Sequence, residues 1–174
     1  MKPISNLLLA LSIFSLVATN AFAAPDFAAK VQEAMKELRS QCDALGAPKV
    51  EGTDAVSDKK DAPALYFGST KMNNNFDVVD KVKNKVGGTA TLFVKKGDEY
   101  IRVCTNVQKN DGTRAIGTVL DPNGAAIKKI KQGKAFYGEV DILGKPYTTG
   151  YEPIKKGDEV VGIYYVGYLK IVKK

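Results

Sequence analysis

Histidine is absent from this chain. Its absence excludes histidine-based catalytic triads, imidazole metal sites and ordinary haem ligation. The sequence also lacks a nucleophile elbow, a phosphate-binding loop and a metal-binding cluster. We therefore expect a protein that is not an enzyme and that needs neither a metal nor another cofactor.

Arginine is scarce, with three residues against 23 lysines in a chain whose formal net charge is +7. Because the lysines are spread along the whole sequence, they indicate a solvated surface and no nucleic-acid partner. Two of the arginines, Arg102 and Arg114, lie in the segment from Gly87 to Thr118. Since a guanidinium suits bidentate recognition of a carboxylate, this segment predicts a small anion-binding pocket.

Cysteine is limited to Cys42 and Cys104. In an oxidising compartment these two residues could form one disulfide. Two separate buried thiols are the alternative, because sequence spacing does not establish proximity. The sequence leaves both states open.

Long apolar runs are also lacking after the N-terminal segment. Lys2, the apolar stretch Leu7–Val17 and the small-residue pattern at Ala21 and Ala23 predict a cleaved signal peptide over residues 1–23. An uncleaved anchor is the alternative, but the apolar stretch is shorter than the roughly 20 residues of a membrane span. We therefore expect an exported, periplasmic protein.

The remaining sequence alternates between helical and strand-like patterns. Helices are predicted from Phe27 towards Gly46, from Phe76 to Val86, and after Pro122, whereas the polar stretch Lys49–Pro63 predicts an exposed loop. Period-2 patterns and turn residues predict strands at Ala90–Lys95, Tyr100–Val107, Ile116–Leu120, Ala135–Leu143, Tyr147–Ile154 and Val160–Val172. This order indicates an α+β fold with an antiparallel sheet of about five strands.

Strand alternation predicts that Arg102, Cys104 and Asn106 share one sheet face. Tyr147 and Tyr151 flank a Thr-Thr-Gly segment, and a tyrosine can orient a polar ligand with its hydroxyl while its ring forms an apolar wall. Three alternatives stay open, namely an exposed edge-strand arginine, a structural ion pair and ordinary core tyrosines.

Five segments between Leu65 and Leu169, taken together in order and spacing, resemble the extracytoplasmic Cache sensor domains of bacterial chemoreceptors and sensor kinases. They are NNNFDVVDKV, GGTATLFVKKGDEYIRVCTNV, DGTRAIGT, GEVDILGKPYTTGYEPI and VVGIYYVGY. The likeness is to the single-Cache branch, of the Cache 3/Cache 2 fusion type. It implies a PAS-like sensor domain over residues 64–174 and a long N-terminal helix with a loop over residues 24–63.

The resemblance further implies a pocket for a small organic acid or amino acid, with Arg102 or Arg114 as the carboxylate clamp. The implied pocket wall comprises Phe93, Arg102, Thr105, Asn106, Arg114, Gly117, Thr118, Tyr137, Tyr147 and Tyr151. Signal transduction or chemotaxis would then pass through a separate membrane kinase or chemoreceptor, because the sequence ends at Lys174 without a membrane helix. The family also suggests a homodimer through the N-terminal helix. A ligand-free interaction module and a solute-binding protein outside signalling are the alternative functions.

Overall fold

The computed structural model describes residues 27–57 and 60–170. The predicted signal peptide and the last two residues of the predicted final strand lie outside these ranges. The elements in chain order are α1 (Phe27–Asp43), β1 (Pro48–Ser57), β2 (Lys60–Phe67), β3 (Thr70–Lys71), α2 (Asp77–Val86), β4 (Thr89–Lys96), β5 (Glu99–Thr105), α3 (Ala125–Ile130), β6 (Phe136–Ile142), β7 (Lys145–Lys156) and β8 (Glu159–Leu169).

A five-stranded antiparallel sheet forms the centre of the fold, in the order β5-β4-β8-β7-β6. Tight turns containing Gly97 and Gly157 join β4 to β5 and β7 to β8. Both glycines have positive φ, the conformation that such turns require. The predicted α+β class, the antiparallel sheet of about five strands and the N-terminal helix are confirmed.

Helices α1 and α2 cover one face of this sheet. On α1 the buried positions recur at helical spacing, and they are Val31, Ala34, Met35, Leu38 and Cys42. Both helices pack against the same core cluster, which includes Leu92, Cys104 and Val166 from the sheet. We call this side the helical face.

The polar stretch predicted as an exposed loop is a β-hairpin. Strands β1 and β2 pair antiparallel, and β3 adds a third strand to this separate small sheet. The prediction was wrong because β1 is an edge strand in which Val56 alone is buried, so it shows no continuous alternation. The buried residues Ala62, Ala64 and Leu65 straddle the predicted domain boundary at residue 63, which falls inside β2.

The opposite face of the five-stranded sheet carries a second core cluster around Phe93, Ile163 and Tyr165. Helix α3 contributes Ile127 and Ile130 to this cluster. We call this side the cleft face. None of the helices in the described ranges has the length and the apolar run that crossing a bilayer requires.

The predicted strand Ile116–Leu120 is not a regular strand, but its backbone pairs with β5. The Arg102 N–H donates to the Thr118 carbonyl over 2.9 Å, and the Leu120 N–H donates to the Tyr100 carbonyl over 3.0 Å. This segment therefore covers the outer edge of β5. Within the described ranges, β6 at the opposite edge pairs with β7 alone.

Candidate functional site

Arg102 reaches the cleft face because β5 contains a bulge. Leu92 of β4 pairs with Cys104, but the next residue, Phe93, pairs with Arg102, so Val103 has no opposite partner. An inserted residue interrupts the alternation of side chains along a strand. Cys104 consequently packs in the core of the helical face, whereas Arg102 lies with its guanidinium carbon 5.0 Å from the centre of the Phe93 ring.

The prediction that Arg102, Cys104 and Asn106 share one face was therefore wrong. Asn106 is held at the helical face, where its Oδ1 accepts a hydrogen bond from the Ala90 N–H and its Nδ2 donates to the Val79 carbonyl of α2, both over 2.7 Å. The two polar residues on either side of the bulge thus have different environments.

The guanidinium of Arg102 is buried and only partly satisfied. The residue is 6% exposed. Its Nη1 donates to Thr118 Oγ1 over 2.9 Å, whereas its Nε is buried without a hydrogen-bond partner. None of the ion pairs within the described residues includes Arg102.

A buried cation without a counter-ion is energetically costly, because the charge loses its hydration without gaining an equivalent partner. Burial accordingly lowers the pKa of the Arg102 guanidinium, although Tyr165 and Tyr151 act in the opposite direction. The contact with the Phe93 ring offsets part of the cost as a cation–π interaction. The guanidinium N–H groups that lack an acceptor, the Nε among them, suit an anionic acceptor.

Two buried tyrosines lie near Arg102. The Tyr151 and Tyr165 rings have centroids 4.9 Å apart, and the Tyr165 hydroxyl lies 3.0 Å from Thr89 Oγ1. Burial raises the pKa of both phenols, so both stay protonated at neutral pH. The Tyr151 phenol lines the cleft as a neutral donor, and it does not compete with an anion for Arg102.

A cleft of about 470 Å³ opens beside Arg102, Thr118 and Tyr151. Its walls are residues 118–121, residues 124–126 and residues 139–143. This volume falls in the range of small-molecule sites, roughly 300–1,000 Å³. A larger groove of about 630 Å³ lies along α1, where Lys36 and Arg39 are the cationic lining residues and Arg39 is already paired with Glu152 at 2.9 Å.

Arg114, the other predicted clamp, is not brought to this cleft. Its guanidinium makes a bidentate contact with Asp80 of α2 at 2.9 and 2.7 Å and also donates to the Thr105 carbonyl over 2.7 Å. The guanidinium carbon lies 4.3 Å from the centre of the Phe76 ring. Arg114 therefore ties its loop to α2, as in the structural alternative left open above.

Of the other predicted wall residues, Phe93, Thr118, Tyr147 and Tyr151 lie with Arg102 on the cleft face. Thr105 is fully buried, and its Oγ1 lies 2.6 Å from Thr91 Oγ1.

Two further predicted wall residues lie apart from the cleft. Gly117 bonds the Arg102 carbonyl through its N–H and faces Ser57. Tyr137 lines the groove along α1, where its hydroxyl donates to Glu152.

Three acidic residues that line the cleft, Asp121, Glu139 and Asp141, were missed from the sequence. Asp121 and Asp141 sit at turns, where their side chains accept hydrogen bonds from the backbone N–H groups of Asn123 and Gly144. The turn signals were visible in the sequence, but nothing in them shows that the two turns face each other across a cleft.

Cys42 and Cys104 are free, fully buried thiols within the core of the helical face. The disulfide that the sequence left open is not formed here. Burial raises the pKa of both thiols, which keeps them protonated and unreactive.

The antiparallel sheet, with α1 and α2 on one face and α3 beside the cleft on the other, is an α+β arrangement of the PAS-like kind. The family model of the Cache 3/Cache 2 fusion domain matches residues 17–173, so the chain belongs to this family. The family assigns the chain to sensor domains of signal transduction and chemotaxis.

Among solved structures, a methyl-accepting chemotaxis protein X is similar to this chain, with 13% sequence identity and a TM-score of 0.44. The similarity covers 82% of this chain and 56% of that one, so the chain spans little more than half of that protein's length. A comparison with curated proteins gives no match.

Proposed function

We propose that this chain binds a small organic acid or amino acid, and that Arg102 recognises the ligand's carboxylate. Sensing rather than catalysis is the role that the Cache family supports. The observation that carries the proposal is the Arg102 Nε, a buried donor without a partner beside a cleft of suitable volume. A carboxylate placed there would accept this hydrogen bond and neutralise the buried charge.

We further propose that the domain works outside the cytoplasm and reports its ligand state to a separate membrane kinase or chemoreceptor. The predicted signal peptide and the family, whose members are typically extracytoplasmic, support this location. Pairing of two copies through α1 is part of the same proposal and is supported by analogy with the family alone.

Two alternative functions differ in what they require of the cleft. An interaction module without a ligand would have a filled cleft and satisfied buried groups, so the open cleft and the unpartnered Nε favour ligand binding. A solute-binding protein outside signalling would use the same site, and it differs from a sensor only in having no signalling partner.

A thermal-shift screen of short monocarboxylates, dicarboxylates and amino acids tests the proposal. A ligand at 100 times its Kd adds about 2.7 kcal/mol of stability, which raises the Tm of a domain this size by roughly 5–10 °C. Arg102→Gln should abolish the shift, because glutamine cannot neutralise a carboxylate.

Arg114→Ala is the matched control in that screen. It removes the other guanidinium of the Gly87–Thr118 segment but leaves the cleft intact, so the ligand-induced shift should persist from a lower starting Tm. A shift that survives Arg102→Gln, or a folded, ligand-free protein that responds to none of the compounds, would contradict the proposal.

A further inference from the structure

The cleft follows the free edge of a β-strand. β6 is the last strand of the five-stranded sheet, and in the described part of the chain its only ladder is with β7. Residues 139–143 line the cleft without a gap. Because side chains of a strand alternate between two faces, an unbroken run of lining residues means that the strand presents its backbone edge to the cleft.

The turn after β6 fixes which backbone groups point into the cleft. Leu143 and Gly144 both have positive φ, 54° and 82°, as in a type I′ turn that closes on the pair Ile142–Lys145. Alternate residues of an antiparallel strand bond the same neighbour, so Val140 bonds β7 as Ile142 does. The N–H and C=O groups of Glu139 and Asp141 therefore point outward, and no backbone partner for them occurs among the described residues.

The facing wall is held to β5 on one of its sides. Thr118 and Leu120 of this wall already use their backbone groups to bond β5. Two strand-like segments thus face each other across a gap, and Arg102, whose Nε has no hydrogen-bond partner, lines the same gap.

We propose that the ligand is a short peptide with a free C-terminus, which binds in extended conformation as an added strand on β6 with its terminal carboxylate on Arg102. This inference rests on the part of the proposed function that places the ligand's carboxylate on Arg102, and it assigns that carboxylate to a peptide. Strand addition to an exposed edge is a general mode of peptide recognition, in which main-chain hydrogen bonds supply much of the affinity. A free organic acid would use Arg102 but would leave the edge of β6 unpaired.

The dimensions of the cleft limit the peptide's length. At about 3.3 Å per residue, the lining run of β6 spans roughly 13 Å, which matches an extended peptide of three or four residues. The cleft volume of about 470 Å³ also excludes a folded partner.

Charge further narrows the peptide class. Asp121, Glu139 and Asp141 line the cleft together with Arg102, and among the described residues Glu139 alone of these three has a cationic partner, Lys170 at 2.6 Å. The cleft therefore accepts one carboxylate at Arg102 and repels additional ones. Neutral or basic peptides should bind better than acidic ones, because three acidic residues surround the cleft.

Calorimetric titration and thermal shift of the full chain with four probes test this inference. The probes are trialanine, trialanine C-terminal amide, trialanine methylated at its central amide nitrogen, and alanine. We expect trialanine to bind, the C-terminal amide to lose binding, and N-methylation to weaken binding about five- to tenfold, as for one lost hydrogen bond. Alanine should bind more weakly than trialanine.

Two protein variants test whether the outward backbone N–H of β6 bonds the peptide. Glu139→Pro removes the outward N–H, whereas its matched control Glu139→Gln removes the same charge and keeps that N–H. Glu139→Pro should weaken trialanine binding about five- to tenfold relative to Glu139→Gln, because the two variants lack the same charge and differ in the backbone N–H. The methylated peptide provides the same test on the unmodified protein if the proline variant does not fold.

The outcomes separate this inference from the proposed function. Equal binding of the methylated and unmethylated peptides would overturn strand addition. Arg102-dependent binding of small acids or alanine, with no binding of trialanine, would overturn the peptide class and leave the proposed function in place. A chain that binds neither peptides nor small acids would overturn both.

Discussion

Arg102 holds a positive charge that is almost removed from water, and its principal neighbours are a hydroxyl and aromatic rings. Such a residue opposes folding in the absence of a ligand. A buried charge that is costly for the free protein becomes favourable when a carboxylate pairs with it. Replacing Arg102 with an apolar residue should therefore raise the stability of the unligated domain and weaken its binding of ligand.

Arg102→Met tests whether stability rises while ligand binding is lost. Methionine keeps an unbranched apolar chain of similar length but removes the buried charge and the unpaired donor, so we expect the unligated domain to gain about 1–2 kcal/mol in free energy of unfolding. Urea unfolding measures this change, and thermal shift should show loss of the response to ligand. A clear loss of stability without ligand would show that the charge is already compensated.

Removing Arg114, in contrast, should lower the stability of the unligated domain. Its bidentate pair with Asp80 is partly exposed, and its guanidinium also lies over the Phe76 ring, so Arg114→Ala should cost about 1–2 kcal/mol. Urea unfolding of this variant and of Asp80→Asn checks the value. Unchanged stability in both variants would mean that the pair contributes nothing.

At this scale the sequence singled out arginines and tyrosines, but it could not show which of them lie at the cleft. Arg102 and Tyr151 were predicted as ligand contacts, and the structure places both at the cleft. Arg114, the other arginine of the Gly87–Thr118 segment, lies against α2. The deciding feature is the bulge at Val103, and no residue in that strand signals it.

Among the elements, the hairpins and helices with strong periodicity matched their predictions, whereas β1 and β2 did not. The Gly97 turn between apolar runs predicted β4 and β5 from local signals. The small sheet depends on packing instead, since β2 lies against β4 and β5 and β1 remains an edge. Such tertiary support leaves no local pattern in a polar sequence.

The contact between α1 and the small sheet gives a sharp test at the element scale. Gly68 has a φ of 57°, and an added Cβ would fall on the Leu45 carbonyl oxygen after α1. Gly157 has a similar φ of 61°, but nothing lies within 4 Å of such a Cβ. Gly157→Ala should therefore cost about 1 kcal/mol, the penalty of the left-handed conformation alone.

Gly68→Ala should cost about 3 kcal/mol or more, because the backbone clash adds to the same conformational penalty. Chemical unfolding of both variants measures the difference between them. Equal costs would show that α1 and the small sheet do not approach each other this closely.

The junction between α1 and α2 should make stability depend on pH. Lys85 and Gln41 donate hydrogen bonds to Glu37, which holds the pKa of this carboxyl below its usual value. The ionised form is thus favoured in the folded state, and its contribution is present above about pH 4.3 and is lost as the pH falls through the folded-state pKa.

We expect Glu37→Gln to be less stable than the unmodified protein at pH 7 and to differ from it less at pH 3. Urea unfolding at both pH values checks this expectation. A difference between the two proteins that does not change with pH would contradict the ionic role of Glu37.

Over the whole molecule, the two faces of the five-stranded sheet have separate roles. The helical face contains the larger core, the paired Arg114 and both buried thiols. The cleft face contains the unpaired Arg102 and the free edge of β6. The fold class could be predicted from the order of the elements, but the walls of the cleft could not, because they are formed by segments far apart in the sequence.

Nuclear magnetic resonance of the arginine side chains tests the central claim most directly. The protein contains three arginines, so three Nε–H signals are expected, and conservative lysine variants assign them. Titration with a carboxylate ligand, trialanine or a small acid, should shift the Arg102 Nε–H signal strongly and leave those of Arg39 and Arg114 nearly unchanged. A saturating ligand that leaves the Arg102 signal in place, or that shifts Arg39 or Arg114 instead, would contradict the account.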